Sequence, residues 1–328
     1  MGRGLRDREV EVRVLVLGAA GVLGSALAER LLGNGVKVRA MDVCRIGEAW
    51  RLSASKGRID YRWKASTDIT RSDLNGVDVI VDAGIGVADR PLGTASPEHT
   101  TISNILPSLH LLETCRRLPP KKRPTIIYPS SFNALYGYAS GTRFSPEMPP
   151  NPSSVYGWTK ASAELLYSTY HKAHGVPAII CRVGSGYGPK MRSDELPARL
   201  IIDVLNKRPI HLRSPGSQRL WTYMEDILDF YEKLLGGVDE YIGKTVHCAG
   251  NLGNEIVTNL QLAQMIGQVA STSLRIREEA YEPGELIQGK PISFKVDGGS
   301  PLWHPKYSLK RGLKQTCDWF SENLWRYN

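Results

Sequence analysis

Apolar and polar positions follow two alternating patterns along roughly the first half of the chain. Short runs rich in β-branched residues, typical of buried strands, are separated by longer segments in which apolar residues recur every three or four positions, as in amphipathic helices. The predicted strands are Val10–Leu17, Val36–Val43, Val77–Ala83, Thr125–Pro129 and Ala178–Arg182. The predicted helices are Gly24–Leu32, Ile102–Arg117 and Tyr156–His174. Strands that alternate with helices predict an α/β fold with a doubly wound parallel sheet.

After Gly184 the pattern changes to loops rich in Gly and Pro between shorter elements. The predicted helices there are Leu196–Lys207, Glu225–Leu235, Asn259–Ala270 and Leu309–Asn323, with one strand at Thr245–Ala249. No long flexible linker interrupts the chain, so we expect two packed lobes with a cleft beyond the carboxyl ends of the strands. We expect a cofactor lobe of residues 1–183 plus about 222–250, and a smaller mixed α/β substrate lobe of residues 184–221 plus about 251–328.

Charge and composition narrow the class of partner. The 328 residues include 42 Lys and Arg against 33 Asp and Glu, and this net charge of +9 favours an anionic partner: nucleic acid, a membrane surface or a phosphorylated metabolite. The basic run Lys121–Arg123 lies between prolines and is accompanied by no recognised nucleic-acid module. No stretch approaches the ~20 apolar residues of a membrane span, and the charged N-terminus is unlike a signal sequence. Five scattered cysteines predict reduced thiols, so we expect a cytoplasmic protein without disulfides or metal.

Three glycines between the first predicted strand and helix indicate a dinucleotide site. Gly18 permits a tight turn, Gly21 lets the backbone approach a pyrophosphate, and Gly24 lets the helix pack closely on the sheet. The pyrophosphate would lie at the positive N-terminus of the helix. An ordinary glycine-rich turn is the alternative, but the position between a strand and a helix favours a nucleotide.

Asp42, at the end of the second predicted strand, indicates the ribose end of that site. A carboxylate about 20 residues after the glycines accepts hydrogen bonds from the adenosine ribose and repels a 2′-phosphate, which favours NAD over NADP. Arg39 and Arg45 are near enough in sequence to soften this repulsion. Asp68 and Ile69, after a third strand region, are candidates for contact with the adenine, with an ordinary exposed loop as the alternative.

Tyr156 and Lys160 begin a predicted helix and lie one turn apart on one face. A phenol has an unperturbed pKa of about 10, so it needs a neighbouring cation to act as a base at neutral pH. Ser130 and Ser131 follow the strand Thr125–Pro129, where a hydroxyl can hydrogen-bond the reacting oxygen. A solvated helix face and a serine-containing turn are the alternatives for each feature alone, and the combination favours a catalytic site.

Six segments, in order along the chain, resemble the extended short-chain dehydrogenase/reductases, specifically the NAD-dependent epimerase/dehydratase group. They are Gly18–Gly24, Pro129–Gly137, Tyr156–Glu164, Arg182–Pro189, Arg219–Asp226 and His304–Leu313. The resemblance implies a Rossmann cofactor lobe, bound NAD, and a triad of Ser131, Tyr156 and Lys160. Tyr156 would accept the proton of a substrate hydroxyl, and Lys160 would also hold the nicotinamide ribose. The segment after Ser131 is one residue longer than in the family, which leaves Ser130 as the alternative hydroxyl. The other expected cofactor contacts are Val22, Leu23, Ala83, Gly84 and Val183.

The residues after Ser131 bear on the type of reaction. Dehydration or decarboxylation of a sugar requires a second acid or base near the triad, whereas Phe132, Asn133 and Ala134 cannot titrate. We therefore expect hydride transfer at one carbon, in an NAD-dependent epimerase of a nucleotide-diphosphate sugar, with C4 as the expected centre. The alternative is an NAD(H)-dependent dehydrogenase or reductase of a sugar, amino acid or other small alcohol or ketone. A non-catalytic redox sensor or scaffold is a third hypothesis, and the Tyr156–Lys160 pair argues against it.

Arg219 is the main candidate for the substrate, because the resemblance places it where nucleotide-sugar epimerases bind a diphosphate, and a guanidinium suits phosphate oxygens. A surface arginine paired with a carboxylate is the alternative. His211, Arg213 and Gln218 are expected to lie in the same loop and to contribute. Two positions depart from the family: Ser185 replaces a substrate-binding Asn of many relatives, and Glu282 replaces a phosphate-binding Arg of some. The resemblance also implies a homodimer through the helices Ile102–Arg117 and Tyr156–His174.

Overall fold

A computed structural model describes residues 12–84, 96–137, 143–279, 295–296 and 303–327. The strands are β1 (Arg13–Leu17), β2 (Lys37–Asp42), β3 (Asp60–Trp63), β4 (Val79–Asp82), β5 (Thr125–Ser131), β6 (Arg143–Phe144), β7 (Ala178–Val183), β8 (Ser185–Tyr187), β9 (Ile210–Leu212), β10 (Gln218–Tyr223), β11 (Thr245–Cys248), β12 (Ile256–Thr258), β13 (Ile276–Glu278) and β14 (Lys295–Val296). The α-helices are α1 (Val22–Gly33), α2 (Pro97–Arg116), α3 (Phe132–Leu135), α4 (Val155–His174), α5 (Leu196–Leu205), α6 (Met224–Gly236), α7 (Asn259–Val269) and α8 (Leu309–Asn323).

Seven strands form one sheet in the order β11-β7-β5-β4-β1-β2-β3, and all its neighbours are parallel. The strand order reverses beside β1, which has β2 on one side and β4 on the other. Connections from the two sides therefore leave a crevice beyond the carboxyl ends of β1 and β4, where such sheets bind ligands. This architecture confirms the predicted doubly wound α/β fold.

Helices cover both faces of the sheet because alternate side chains of a strand point to opposite faces. Val14 and Val16 of β1 pack in one buried cluster with residues of α1 and α6. Leu15 and Leu17 belong to a second cluster with residues of α2 and α4. The central strands are therefore buried on both sides, as their apolar sequences predict.

Shorter strands form small sheets apart from the main one. β10 pairs with β8 in parallel and with β12 in antiparallel, β9 pairs with β13, and β6 pairs with β14. A separate hydrophobic cluster joins α5, α7 and α8 to these strands. Among the described residues, no helix is both long and apolar enough to cross a membrane.

The differences from the predicted elements have local causes. Helix α2 begins at Pro97 rather than Ile102, because Ser96 caps it by accepting a hydrogen bond from the backbone N–H of His99 at 3.0 Å. Its first turn is polar, so no apolar pattern marks it. Strand β3 is mostly exposed at the sheet edge and lacks the apolar pattern of a buried strand. The predicted strands at Val36–Val43 and Thr245–Ala249 each end one residue earlier.

Candidate active site

The three glycines of the loop at the carboxyl end of β1 lie where a side chain would be crowded. Gly18 adopts φ +68°, and a Cβ there would lie 2.5 Å from the Cα of Gly84, which follows β4. A Cβ at Gly24 would collide with the carbonyl oxygen of Gly18, so the start of α1 presses directly on the turn. A Cβ at Gly21 would lie 3.1 Å from the same oxygen. The loop thus needs glycine for reasons of sterics and backbone conformation.

The N-terminus of α1 is open to an anion. Its N-cap residue, Gly21, provides no capping side chain, and the first turn holds no acidic residue. The first backbone N–H groups of a helix have no partner within the helix and carry a partial positive charge. Val22 and Leu23 lie in this first turn, as expected for cofactor contacts. The cradle fits the pyrophosphate of a dinucleotide.

Asp42 lies at the end of β2, directly beside the glycine loop. Its Oδ2 accepts a hydrogen bond from the backbone N–H of Ala20 at 2.9 Å, and its Oδ1 accepts one from Cys44 at 2.9 Å. The half-buried carboxylate is therefore held in place while each oxygen keeps a further lone pair for a ribose hydroxyl. Arg39 is turned away from this position, because it is buried and pairs with Asp60 at 2.8 Å.

The remaining expected cofactor contacts lie around the same edge of the sheet. Asp68 ends a short 3₁₀ turn, and Ile69 after it is buried. Gly84, after Ala83, packs against Gly18, and Val183 ends β7. Arg45 lies with its guanidinium carbon 4.3 Å from the centre of the Trp63 ring, near the exposed end of β3. The expected residues therefore follow the carboxyl edge from β3 to β7.

Helix α4 presents Tyr156 and Lys160 toward the carboxyl end of β5. Ser154 caps the helix by accepting a hydrogen bond from the N–H of Gly157 at 3.0 Å, which fixes its first turn. Lys160 Nζ donates to the carbonyl oxygen of Pro129 at 3.0 Å and lies 5.8 Å from the Tyr156 ring centre. Tyr156 is half-buried, whereas Lys160 is only 3% exposed. The structure thus brings the predicted base and its cation together beside β5.

Burial and neighbouring carboxylates have opposite effects on the pKa of Lys160. Burial disfavours an ammonium group and lowers the pKa of Lys160 to about 8, while the carboxylates of Asp82 and Glu164 oppose this shift. An ammonium near a phenol favours the phenolate. A lysine with this pKa is still largely protonated at neutral pH. Its charge can therefore stabilise the phenolate of Tyr156, which is the predicted base.

The two candidate serines lie in different environments. Ser131 is half-buried, and its Oγ accepts a hydrogen bond from the backbone N–H of Ala134 at 3.3 Å, which caps α3 and leaves the hydroxyl proton free to donate. Ser130 is 5% exposed, and among the described residues its Oγ has no hydrogen-bond partner. Ser131 is therefore the more accessible of the two hydroxyls.

Helix α3 connects the triad region to strand β8. Asn133 Nδ2 donates a hydrogen bond to Ser185 Oγ at 2.8 Å, and Ser185 begins β8. Phe132 is buried against Tyr136 and Phe144. The Asn133–Ser185 contact was not predicted, because residues 52 positions apart meet only through the folding of the chain.

Arg219 lies on strand β10, and the expectation of one loop for Arg219 and its neighbours is wrong. Trp221 pairs with Ser185 across the two strands, and Arg219 is two residues before Trp221 on the same face of β10. Its guanidinium carbon is 5.7 Å from the Trp221 ring centre, and no ion pair to Arg219 occurs in the described part of the chain. The side chain is exposed, yet desolvation by the surrounding protein lowers its pKa.

The other residues considered for the substrate site are placed differently. His211 lies on β9 and Arg213 just after it, and both contact Glu279, at 2.8 Å and 3.0 Å. Gln218 is the first residue of β10, beside Arg219. Glu282 lies outside the described residues. Arg219 is thus the candidate without an acidic partner among the residues that the structure describes.

Comparison with known proteins gives one family. Residues 14–249 match the sequence profile of the NAD dependent epimerase/dehydratase family. dTDP-glucose 4,6-dehydratase of Neisseria gonorrhoeae is 25% identical, over 97% of this chain and 98% of its own length. UDP-glucuronate 4-epimerase of Thermodesulfobacterium geofontis is 27% identical, over 94% of this chain and 96% of its own.

This chain also resembles a solved structure of a sugar-nucleotide epimerase. UDP-glucuronic acid 4-epimerase of Bacillus cereus, crystallised with UDP-glucuronic acid and NAD, superposes with a TM-score of 0.83 at 25% identity. The match covers 95% of this chain and all of that one. Relatives of comparable identity thus catalyse both epimerisation and dehydration, so similarity alone does not decide the reaction.

Proposed function

The chain belongs to the NAD-dependent epimerase/dehydratase family, and from this premise we propose that it is an NAD-dependent epimerase that inverts the C4 hydroxyl of a nucleotide-diphosphate sugar. NAD is the cofactor of the family, and the glycine loop, the uncapped α1 terminus and Asp42 fit it. The cofactor lobe would comprise residues 1–183 plus about 222–250, and the substrate lobe 184–221 plus about 251–328. The substrate would lie in the cleft between them.

The chemistry of each side chain indicates its role in the proposed reaction. Bound NAD would supply a reversible hydride acceptor. Tyr156 would take the proton of the sugar hydroxyl and return it, with Lys160 stabilising the phenolate and holding the nicotinamide ribose. Ser131 would donate a hydrogen bond to the same sugar oxygen and hold it near Tyr156. Inversion results when the hydride returns to the opposite face of the carbonyl carbon, and because hydride and proton are both returned, this reaction needs no other acid or base.

The residues of helix α3 favour epimerisation over dehydration. Loss of water requires an acid or base next to the triad, and the residues that follow Ser131 are a buried Phe132, an amide at Asn133 and Ala134. The Asn133 amide donates to Ser185, so this position supports a hydrogen bond rather than proton transfer. An enzyme with this segment can exchange hydride at one carbon but has no group there to complete an elimination.

The substrate class rests on Arg219 and on the relatives. An exposed guanidinium without an acidic partner among the described residues suits the diphosphate of a nucleotide sugar, through charge-assisted and bidentate hydrogen bonds. UDP-glucuronic acid is bound by the Bacillus cereus enzyme described above. We therefore take UDP-sugars as the first substrates to test.

Mass spectrometry combined with chromatography of isomers tests the reaction directly. The purified protein is incubated with NAD and UDP-glucuronic acid, UDP-glucose or dTDP-glucose. We expect a new isomer of unchanged mass and no net NADH. Loss of one water would replace the proposal by a dehydratase, and stoichiometric NADH by a dehydrogenase. Tyr156→Phe is the control and should abolish formation of the isomer.

A homodimer is the proposed assembly. The exposed large apolar residues of α2 and α4 are Ile102, Leu106, Leu109, Trp158 and Leu165. The spacing on α2 follows one helical face, and α2 packs directly on α4, so the residues form one surface suited to a second copy of this chain. Light scattering of Leu165→Lys should show a monomer, whereas Leu252→Lys, at an exposed leucine elsewhere, should remain dimeric. A monomeric wild-type protein would contradict the proposal.

A further inference from the structure

Asp82 is a buried carboxylate to which the proposed chemistry gives no role. It is the last residue of β4, pairs in register with Leu17 of β1, and is only 1% exposed. The sequence places it at the carboxyl edge of the sheet, directly before Ala83 and Gly84. A charged group so deep in the protein is costly unless another charge and hydrogen bonds compensate it.

Two hydroxyl groups hold the Asp82 carboxylate from the helices on that face. Tyr167 of α4 donates to Asp82 Oδ2 at 2.5 Å, and Ser108 of α2 donates to the same oxygen at 3.5 Å. A separation of 2.5 Å is in the range of hydrogen bonds from a hydroxyl to an ionised carboxylate. Burial raises the pKa of Asp82, whereas the hydrogen bond from Tyr167 and the charge of Lys160 oppose that rise and favour the carboxylate.

A stack of two aromatic rings connects this carboxylate to Lys160. The ring of Tyr167 stacks on that of Tyr128 with centres 4.6 Å apart, and Lys160 Nζ lies 5.0 Å from the centre of the Tyr128 ring. Tyr128 and Tyr167 are both fully buried, so the region between the two charges is dry. Charges interact more strongly in such a medium than in water.

The other charges near Lys160 are already compensated. The titratable groups around it are Asp82 on β4, Tyr128 on β5, Tyr156, Glu164 and Tyr167 on α4, and Arg182 on β7. Glu164 forms a buried ion pair with Arg182 at 2.8 Å, with both side chains less than a tenth exposed. Asp82, by contrast, forms no ion pair with an arginine among the residues that the structure describes, and the positive charge of Lys160 acts on it.

We propose that Asp82 is the buried counter-charge of Lys160, a positioning residue that keeps the lysine protonated from inside the protein while Tyr156 works on the cleft side. Tyr167 and Ser108 fix the carboxylate, and the ring of Tyr128 contacts both Tyr167 and Lys160. Among the described residues Asp82 and Lys160 form no direct salt bridge, so the two charges attract at a distance. Lys160 therefore remains able to contact the nicotinamide ribose. The kinetic part of this inference rests on the proposed function, whereas the electrostatic part does not.

Thermal unfolding of the protein without added NAD tests the charge pairing independently of catalysis. The variants are Asp82→Asn, Lys160→Met and both together. Each single change leaves one buried charge uncompensated, so the melting temperature of the double variant should fall less than the sum of the single losses, by roughly 3 °C or more. Asp226→Asn, at a buried aspartate held by backbone N–H groups, should be additive with Lys160→Met. Additive losses for Asp82 would overturn the inference.

The pH dependence of kcat/KM tests the consequence for turnover. Loss of the Asp82 charge leaves burial less opposed, so the pKa of Lys160 should fall further and the alkaline limb should move about one pH unit lower in Asp82→Asn, a tenfold change in the acidity of the lysine. Activity near pH 6 should stay close to that of the wild type. A uniform loss at every pH would show a merely structural role and overturn the kinetic part. If the protein catalysed dehydration or net oxidation while the losses of melting temperature were non-additive, the proposed function would be refuted and the charge pairing retained.

Discussion

Replacement of Gly18 by alanine tests the steric basis of the cofactor site, with Gly35→Ala as a matched control. Both glycines have positive φ, +68° and +80°, so each alanine should cost roughly 1–2 kcal/mol of backbone strain. They differ in their surroundings. A Cβ at Gly35 meets nothing within 4 Å, whereas a Cβ at Gly18 lies 2.5 Å from the Cα of Gly84 and 2.6 Å from the carbonyl oxygen of Ala83.

The difference between the two positions gives the expected magnitude. Backbone atoms cannot move aside as a flexible side chain can, so the clash should add about 1–3 kcal/mol, the usual cost of overpacking. Gly35→Ala should therefore lower the free energy of unfolding by about 1–2 kcal/mol, and Gly18→Ala by about 2–5 kcal/mol. Displacement of the loop also disturbs the N–H groups at the start of α1, so NAD affinity should fall at least tenfold, about 1.4 kcal/mol.

Two measurements check this expectation. Denaturant unfolding gives the stability of each variant, and isothermal titration calorimetry gives its affinity for NAD. The control variant should bind NAD like the wild type, since Gly35 lies in the α1–β2 connection at the opposite edge of the sheet. Equal NAD affinities for the two variants would show that the close approach of Gly18 to Gly84 is unimportant for the cofactor.

Three further predictions follow from single contacts. Ser131→Ala should lower kcat by about 10²–10⁴-fold, and Ser130→Ala much less, in steady-state assays of isomer formation; the reverse order would assign the triad hydroxyl to Ser130. Arg182→Met should destabilise the protein by about 3–5 kcal/mol in denaturant unfolding, because it leaves Glu164 buried without its partner, and adding Glu164→Gln should recover part of the loss. Burial and Arg182 lower the pKa of His247 to about 3, so protons bind the unfolded chain first and stability should fall as the pH drops from about 6.5 toward 3; His247→Gln should weaken this dependence, and an unchanged pH profile would contradict it.

The hydrophobic pattern of the strands and helices was sufficient to predict the fold class. The glycines and the acid at the strand ends were sufficient to predict where the cofactor site lies. Buried strands such as β1 and β7 are continuous apolar runs, and glycines and an acid at strand ends have a restricted meaning in a parallel sheet. The fold, the family and NAD as its cofactor are confirmed. The triad, the role of Asp42 and that of Arg219 stay predictions that the geometry makes testable.

The hydrophobic pattern of the sequence did not predict strands β3 and β10. Strand β3 is mostly exposed at the edge of the sheet, so burial leaves no apolar repeat in its sequence. Strand β10, with Arg219, belongs to a small sheet whose strands are three to six residues long. Such strands are held by pairing with distant segments rather than by their own sequence.

The sequence by itself determined where the main strands and helices lie, though not the exact residues at their ends, since strand length and helix periodicity are local properties of the chain. Only the tertiary structure decided which of those ends are neighbours. Strand order places β4 beside β1, so that Gly84 meets Gly18 and Asp82 reaches the core behind Lys160. It also joins Asn133 of α3 to Ser185 of β8. Contacts between residues far apart in the chain depend on sheet order, register and helix packing together, and no short window of sequence contains that information.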